Sequence, residues 1–411
     1  MGKVWPTGKT LAATLCLGFS LGMTTAIADA QEPFGKNLEI FRGPIIGPAN
    51  VVGMGGANIG LAEGSGAQSL TPAAVANRSA LNGGTWFDWD WSVDWLNVGL
   101  GDINTDIENN GRPGGGNREI TLINAAINFL FGRFGVGMEL QAHSFGVPCT
   151  DTVCTVGYTE YSSILGGLTL GYNFLDGALI VATELTIPSA TFVFYSDKEK
   201  TKKTSQAQLN GAGLTFGALW KPAELPFRFG LTARARVPAE LDPSSDVLSL
   251  PIPNEVVVPW QVGLGFAYSL GPRTLNPRPS FDDTETRFKD RFAVPMWREY
   301  WLIAVDLLLY GPSMNAAGVE AWLADEVQEA GKNLSLSARL GLESEFWPHV
   351  MRGRIGSYYE PSRFEDTAGR FHGTAGFDVR LFEFIYDWRF TAGIDVADAY
   401  LNTMLSIGFW N

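Results

Sequence analysis

Three arginines in one short stretch are the residues best placed to do chemistry. Phe227 to Val237 reads FRFGLTARARV. Side chains alternate in direction along a strand, so Arg228, Arg234 and Arg236 share the face opposite Phe227, Phe229, Leu231 and Val237. A guanidinium offers a planar fork of donors, and three on one face can receive a carboxylate head group. The other use for them is pairing with acids brought to the same side. Trp86 to Trp95, WFDWDWSVDW, supplies such acids: Asp88, Asp90 and Asp94 oppose Phe87, Trp89, Trp91, Val93 and Trp95.

Other reactive residues suggest no catalysis. His143-Ser144 is the one His-Ser neighbour pair, and adjacent strand residues point to opposite faces, so they cannot act together. His349 falls at an expected turn and His372 beside a loop. GMGGAN, Gly53 to Asn58, lacks the last glycine of a dinucleotide fingerprint and its βαβ context. The chain therefore reads as a non-enzyme without cofactor or metal. Cys149 and Cys154 read as a loop-closing disulfide in an exported chain, or else as two free thiols. Lys198 to Lys203, KEKTKK, reads as a solvated loop or a contact for lipid phosphates.

Export is signalled at the start. Lys3 and Lys9 precede the apolar run Leu11 to Gly22, and Ala28-Asp29-Ala30 provides a small-residue cleavage site before Gln31. Cys16 follows Leu15, not a small residue, which argues against a lipoprotein leader. Removing residues 1–30 takes out two lysines and one aspartate, leaving 28 basic and 42 acidic residues and a net charge of −14. Such a charge disfavours nucleic acid as a partner. No later run reaches the ~18 apolar residues of a spanning helix; the nearest, Tyr300 to Tyr310, contains Asp306.

Alternation like that of the tryptophan segment recurs along the chain. Leu168, Leu170, Tyr172 and Phe174 oppose Gly167, Thr169, Gly171 and Asn173. Val256 to Leu270 sets Val258, Trp260, Val262, Leu264, Phe266 and Tyr268 against Gln261, Gly263, Gly265 and Ser269. Soluble sandwiches coat their outer faces with long charged side chains. Here the second face is small or polar, which predicts an enclosed, wet or partly filled interior with the greasy rows turned to lipid. Long joins (101–118, 146–157, 240–254, 311–333) alternate with tight ones (132–133, 175–177, 221–226, 347–349), as in outer-membrane barrels, and only 271–298 breaks the rhythm. The expectation is an all-β transmembrane antiparallel barrel of about fourteen strands in the bacterial outer membrane, bathed in its lipid. Pro188 and Pro259 cannot donate to a ladder; they mark either an opening in the wall or its rim.

Val51 to Leu81, VVGMGGANIGLAEGSGAQSLTPAAVANRSAL, resembles the N-terminal segment of FadL/TodX-type channels for long-chain fatty acids and other hydrophobic compounds. Their G-x-G-G-A stretch and Asn-Pro-Ala motif match Gly53, Gly55, Gly56, Ala57, Pro72 and Ala73, with Thr71 in place of the Asn. GRIGSYYEPSRF (Gly353 to Phe364) and WLIAVDLLLYGPS (Trp301 to Ser313) resemble later family segments, and Tyr400 to Trp410 resembles the terminal strand recognised by the outer-membrane assembly machinery. The resemblance implies a leader at 1–30, a hatch at 31–84 inside a barrel at 85–411, and passive transport of a fatty acid or other hydrophobic molecule that leaves sideways through the wall. A periplasmic linker remains the alternative for the hatch. For the whole chain the alternative is a noncatalytic structural or secretion-accessory barrel whose loops bind a protein.

Overall fold

Lipid cannot hydrogen-bond the backbone, so strands that cross it must close on themselves. The computed structural model describes residues 36–40, 43–77, 86–96, 106–112, 119–148, 158–197, 201–242, 252–272, 275–276, 300–323, 327–347, 350–384 and 386–409. Among these residues, twenty strands, numbered along the chain, form one sheet. Fourteen make the barrel: β2 (Phe87–Leu96), β3 (Glu119–Phe131), β4 (Phe134–Pro148), β5 (Tyr158–Phe174), β6 (Leu179–Tyr195), β8 (Gly213–Trp220), β9 (Phe227–Arg234), β12 (Gln261–Leu270), β13 (Trp301–Tyr310), β16 (Ser335–Trp347), β17 (Met351–Glu360), β18 (Arg370–Phe384), β19 (Tyr386–Ala397) and β20 (Tyr400–Phe409). Each pairs antiparallel with the next, and β20 returns to β2 from Trp91↔Phe409 to Leu96↔Met404.

The greasy rows face outward. In β5, Leu168, Leu170, Tyr172 and Phe174 are 40–46% exposed while Thr169 and Asn173 are buried. At the closure, Trp89 and Trp91 meet Phe409 at 4.7 and 6.0 Å and Trp91 meets Trp388 at 5.8 Å, so the tryptophans join an aromatic patch on the lipid face. Asp88, Ser92 and Asp94 of the same strand are buried inside.

Six short strands complete the sheet: β1 (Asn37–Glu39), β7 (Lys203–Gly211), β10 (Val237–Leu241), β11 (Glu255–Val258), β14 (Ala316–Ala317) and β15 (Glu329–Ala330). They lie towards the end with the long loops, the outer end of such a barrel. A seam separates them from the barrel strands. β6 pairs with Gly213 of β8 up to Thr186 and with Asn210 of β7 from Ser189. Beside it, β9 stops at Arg234 before β10 begins at Val237, and β11 stops at Val258 before β12 begins at Gln261. The stretch expected as one strand from Val256 to Leu270 is thus two, and Val256 and Val258 are buried, not turned to lipid. Pro259, without an N–H, stands at that break, and Pro188 lies at the β7/β8 junction.

Above the seam, β1 runs parallel between β11 (Leu38↔Val256) and β14 (Leu38↔Ala317). Glu39, fully enclosed, meets Arg363 through two bonds of 2.6 and 3.0 Å. Arg363 also donates to the carbonyls of Gly311 and Asn333. The N-terminal segment is therefore held in the outer wall before it turns inward.

Candidate functional site

Residues 43–77 lie against the inward rows of the barrel, and most are buried. Their backbone is irregular, with a short α-helix, α1 (Ala49–Gly53), and two 3-10 turns (Ser65–Ala67 and Pro72–Ala76), so its N–H groups need partners other than a ladder. Wall carboxylates supply them. Asp94 accepts from Ala49 N at 3.1 Å, Asp90 from Ser65 N at 2.6 Å, and Asp306 from Asn58 N and Ile59 N at 2.7 and 2.8 Å. Asp88 instead accepts from Trp89 N on its own strand at 3.0 Å. Asp306 was visible in the sequence only as an acid within an apolar run. Its role depends on a segment some 250 residues earlier, 248 for Asn58.

Glycines make the contact close. Gly55 and Gly56 adopt φ of +61° and +68°, which side chains other than glycine rarely tolerate. A Cβ on Gly55 would stand 2.6 Å from Leu340 O and 2.7 Å from Ser357 N, and one on Gly53 3.2 Å from Gly376 Cα. The wall answers in kind: Cβ atoms on Gly341, Gly356, Gly230 or Gly265 would run into the backbone of residues 54–60. The small inner rows are seats for this segment, so this part of the interior is filled rather than wet. Thr71 accepts from Ala73 N at 3.4 Å and caps the turn Pro72–Ala76. That turn packs against β4, β5, β6 and β8 near the periplasmic end.

The three arginines separate. Arg228, 1% exposed, is committed to Asn276, to the carbonyls of Leu61 and Leu275, and to Glu63 at 2.8 Å. Arg234 points into the lumen and donates to Gln261 at 3.1 Å. Arg236 lies in the seam after β9 ends, is exposed, and pairs with Glu255. The break at 235–236 reverses the alternation, which is why Arg236 does not share their face and Val237 is buried. Cys149, Cys154 and nearly all of 271–298 lie outside the described residues.

What the segment leaves open is a luminal cavity. Its lining is mixed: Gln68, Glu139, Gln141, Glu184, Arg234 and Arg339 stand among apolar residues such as Ile45, Leu165 and Leu308. On the lipid face of the same wall lies an open apolar groove, bordered by Trp89, Trp91, Met138, Leu140, Leu168 and Ile187. Glu139 borders both, and Gly166 and Gly167 of β5 stand between them. A Cβ on Gly166 would meet nothing nearer than Ile187 O at 3.8 Å, whereas one on Gly167 would meet Glu139 and Glu184 at 2.7 and 2.9 Å. At this point the wall is backbone alone, screened on the inside by two carboxylate side chains.

A second, small cavity sits under the outer loops and shares Ile40, Pro44 and Ile46 with the first. Glu108 and Glu320 close it reciprocally. Glu108 accepts from Val319 N and Glu320 N at 2.9 and 2.8 Å, and Glu320 accepts from Glu108 N at 3.1 Å. Burial, and then the neighbouring Glu320 charge, push the Glu108 carboxyl up to about 8.

No family model and no curated protein matches the chain. Solved structures do. A FadL homologue of Pseudomonas aeruginosa aligns at a TM-score of 0.56 with 11% identity, covering 89% of this chain and 98% of that one. This chain has the FadL-type barrel fold. The Pseudomonas putida toluene transporter TodX aligns at 0.51 with 10% identity, over 89% and 98% of the two chains. With closure complete and the greasy rows outward, the protein is an outer-membrane barrel.

Proposed function

We propose that the protein is a passive outer-membrane channel for hydrophobic small molecules, a class that includes fatty acids and the aromatic cargo of the toluene transporter whose fold it shares. Residues 43–77 serve as the hatch, barring the axial route. Cargo enters beneath the outer loops, passes Ile40, Pro44 and Ile46, and leaves sideways at Gly166 and Gly167. An apolar molecule gains nothing from an aqueous pore and much from a path between two greasy surfaces. The observation that carries this reading is the luminal cavity backing onto the lipid-facing groove through side-chain-free wall.

Proteoliposome uptake of a labelled apolar probe, together with planar-bilayer conductance, tests it. The intact chain should admit the probe at low ionic conductance, and deletion of 51–81 should raise conductance. Absence of uptake by both forms would defeat the proposal.

A further inference from the structure

The luminal cavity carries unmatched polar atoms, and they say what its occupant must offer. Gln141, 2% exposed on the inner face of β4, lines the cavity, and its Oε1 has no hydrogen-bond partner. Arg234 lines the same cavity, and its Nε is buried without a partner although its Nη2 is bonded to Gln261. One is an acceptor awaiting a donor and the other a donor awaiting an acceptor. Leaving such atoms buried and unmatched is costly, so a ligand that satisfies both is favoured over one that satisfies neither.

Charge narrows the choice. The cavity's guanidiniums, Arg234 and Arg339, stand with two carboxylate side chains, Glu139 and Glu184. An incoming carboxylate would answer Arg234 but bring its charge beside both glutamates, and it has no proton for Gln141. Arg228, the other inward arginine of β9, is already bonded on every nitrogen. A plain hydrocarbon would leave these atoms unmet, and with them the buried, unpartnered Nε of Arg339 in the same lining. A hydroxyl or a primary amide donates and accepts at once without adding charge.

We infer that the luminal cavity is a binding site for the uncharged hydroxyl or amide end of an otherwise apolar molecule, with Gln141 and Arg234 as the residues that select it. This rests on the channel reading above and narrows it: the preferred cargo is a neutral amphiphile, not a fatty-acid anion or a bare hydrocarbon.

Radiolabelled 1-decanol, decanoate and decane, equilibrated with the full chain in nanodiscs and with empty nanodiscs at neutral pH, test the inference. Protein-dependent binding of decanol should exceed that of either other probe by about tenfold, the worth of roughly one satisfied hydrogen bond. Gln141→Leu and Arg234→Met should each erase most of that preference while keeping the heat-resistant electrophoretic mobility of a folded barrel. Should a variant fail to fold, the wild-type preference among the three probes still decides the matter. Equal binding of all three, or tightest binding of decanoate, would overturn the inference while leaving the channel standing. If no probe binds above empty nanodiscs and none enters proteoliposomes, the channel reading falls and takes this inference with it.

Discussion

Strands β16 to β19 and strands β4 to β6 face the same N-terminal segment and treat it differently. On the first side the fit is tight. Thr374 accepts from Gly55 N at 3.0 Å, Gly341 and Gly356 press on the backbone at Met54 and Gly55, and buried charges stand beside opposite ones. Arg354 bridges Glu343 at 2.6 Å and Asp378, Arg389 reaches Asp378 at 2.8 Å, and His372 sits between Asp395 and Glu360 at 2.8 and 2.7 Å. On the second side contact is made mainly near the periplasmic end, where Val75 meets Gly135 and Gly171. Above it the cavity opens, with Gln141 Oε1 unmatched. Both sides use small inward residues. Whether such a residue becomes a seat or a void depends on whether the segment passes over it, so one half of the wall anchors residues 43–77 and the other leaves a cavity beside them.

The largest change should come from breaking the tight side. Gly55→Val puts a branched side chain at a positive φ and into Leu340 O, at a cost of about 3 kcal/mol. Urea titration in detergent should register that loss, and planar bilayers should show conductance rising towards that of the 51–81 deletion. Asp306→Ala strips two backbone N–H groups of their charged acceptor and should cost roughly 2–4 kcal/mol by the same titration, with Asp306→Asn milder.

The loose side should respond in transport before stability. Gly166→Trp fills the outer groove where a side chain meets no obstacle, so stability should shift by no more than about 0.5 kcal/mol while probe uptake slows several-fold. Unchanged uptake would place the exit elsewhere. The smallest effect is a pH dependence in the outer loops. The Glu108 carboxyl is raised from its ordinary 4.5 to about 8, so the folded form keeps a proton that the unfolded form gives up. The stability of the clasp is then complete below about 4.5 and falls as pH climbs through about 8. Limited proteolysis at 106–112 should quicken across that window, and Glu108→Gln should flatten the dependence.

The barrel was legible because lipid imposes a period of two that turns and loops punctuate, and Trp89, Leu168 and Leu264 obey it directly. The seam was not. Ala235 and Arg236 preserve the apparent alternation of FRFGLTARARV, and it takes the structure, with β9 ending at Arg234 and Val237 buried, to show that the strand has broken. Glycine posed a different problem, since a missing side chain announces room without saying what occupies it; Gly341 and Gly230 hold backbone where Gly166 holds nothing. Asp90 and Asp94 could be placed inside, but not their partners, because an acceptor for a lone N–H leaves no trace near that N–H in the sequence. β1 carried no local signal at all: NLE becomes a strand only because distant edges receive it.

That last placement constrains assembly. Glu39 is joined to a residue 324 positions downstream, and β11 and β14, the strands flanking it, are likewise made long after it. This strand must wait, without its partners, until most of the remainder has been made. Contacts of such long sequence separation are slow to form. Insertion into the bilayer should therefore finish with the beginning of the chain, and a barrel already closed but lacking β1 in its rim is the intermediate to look for.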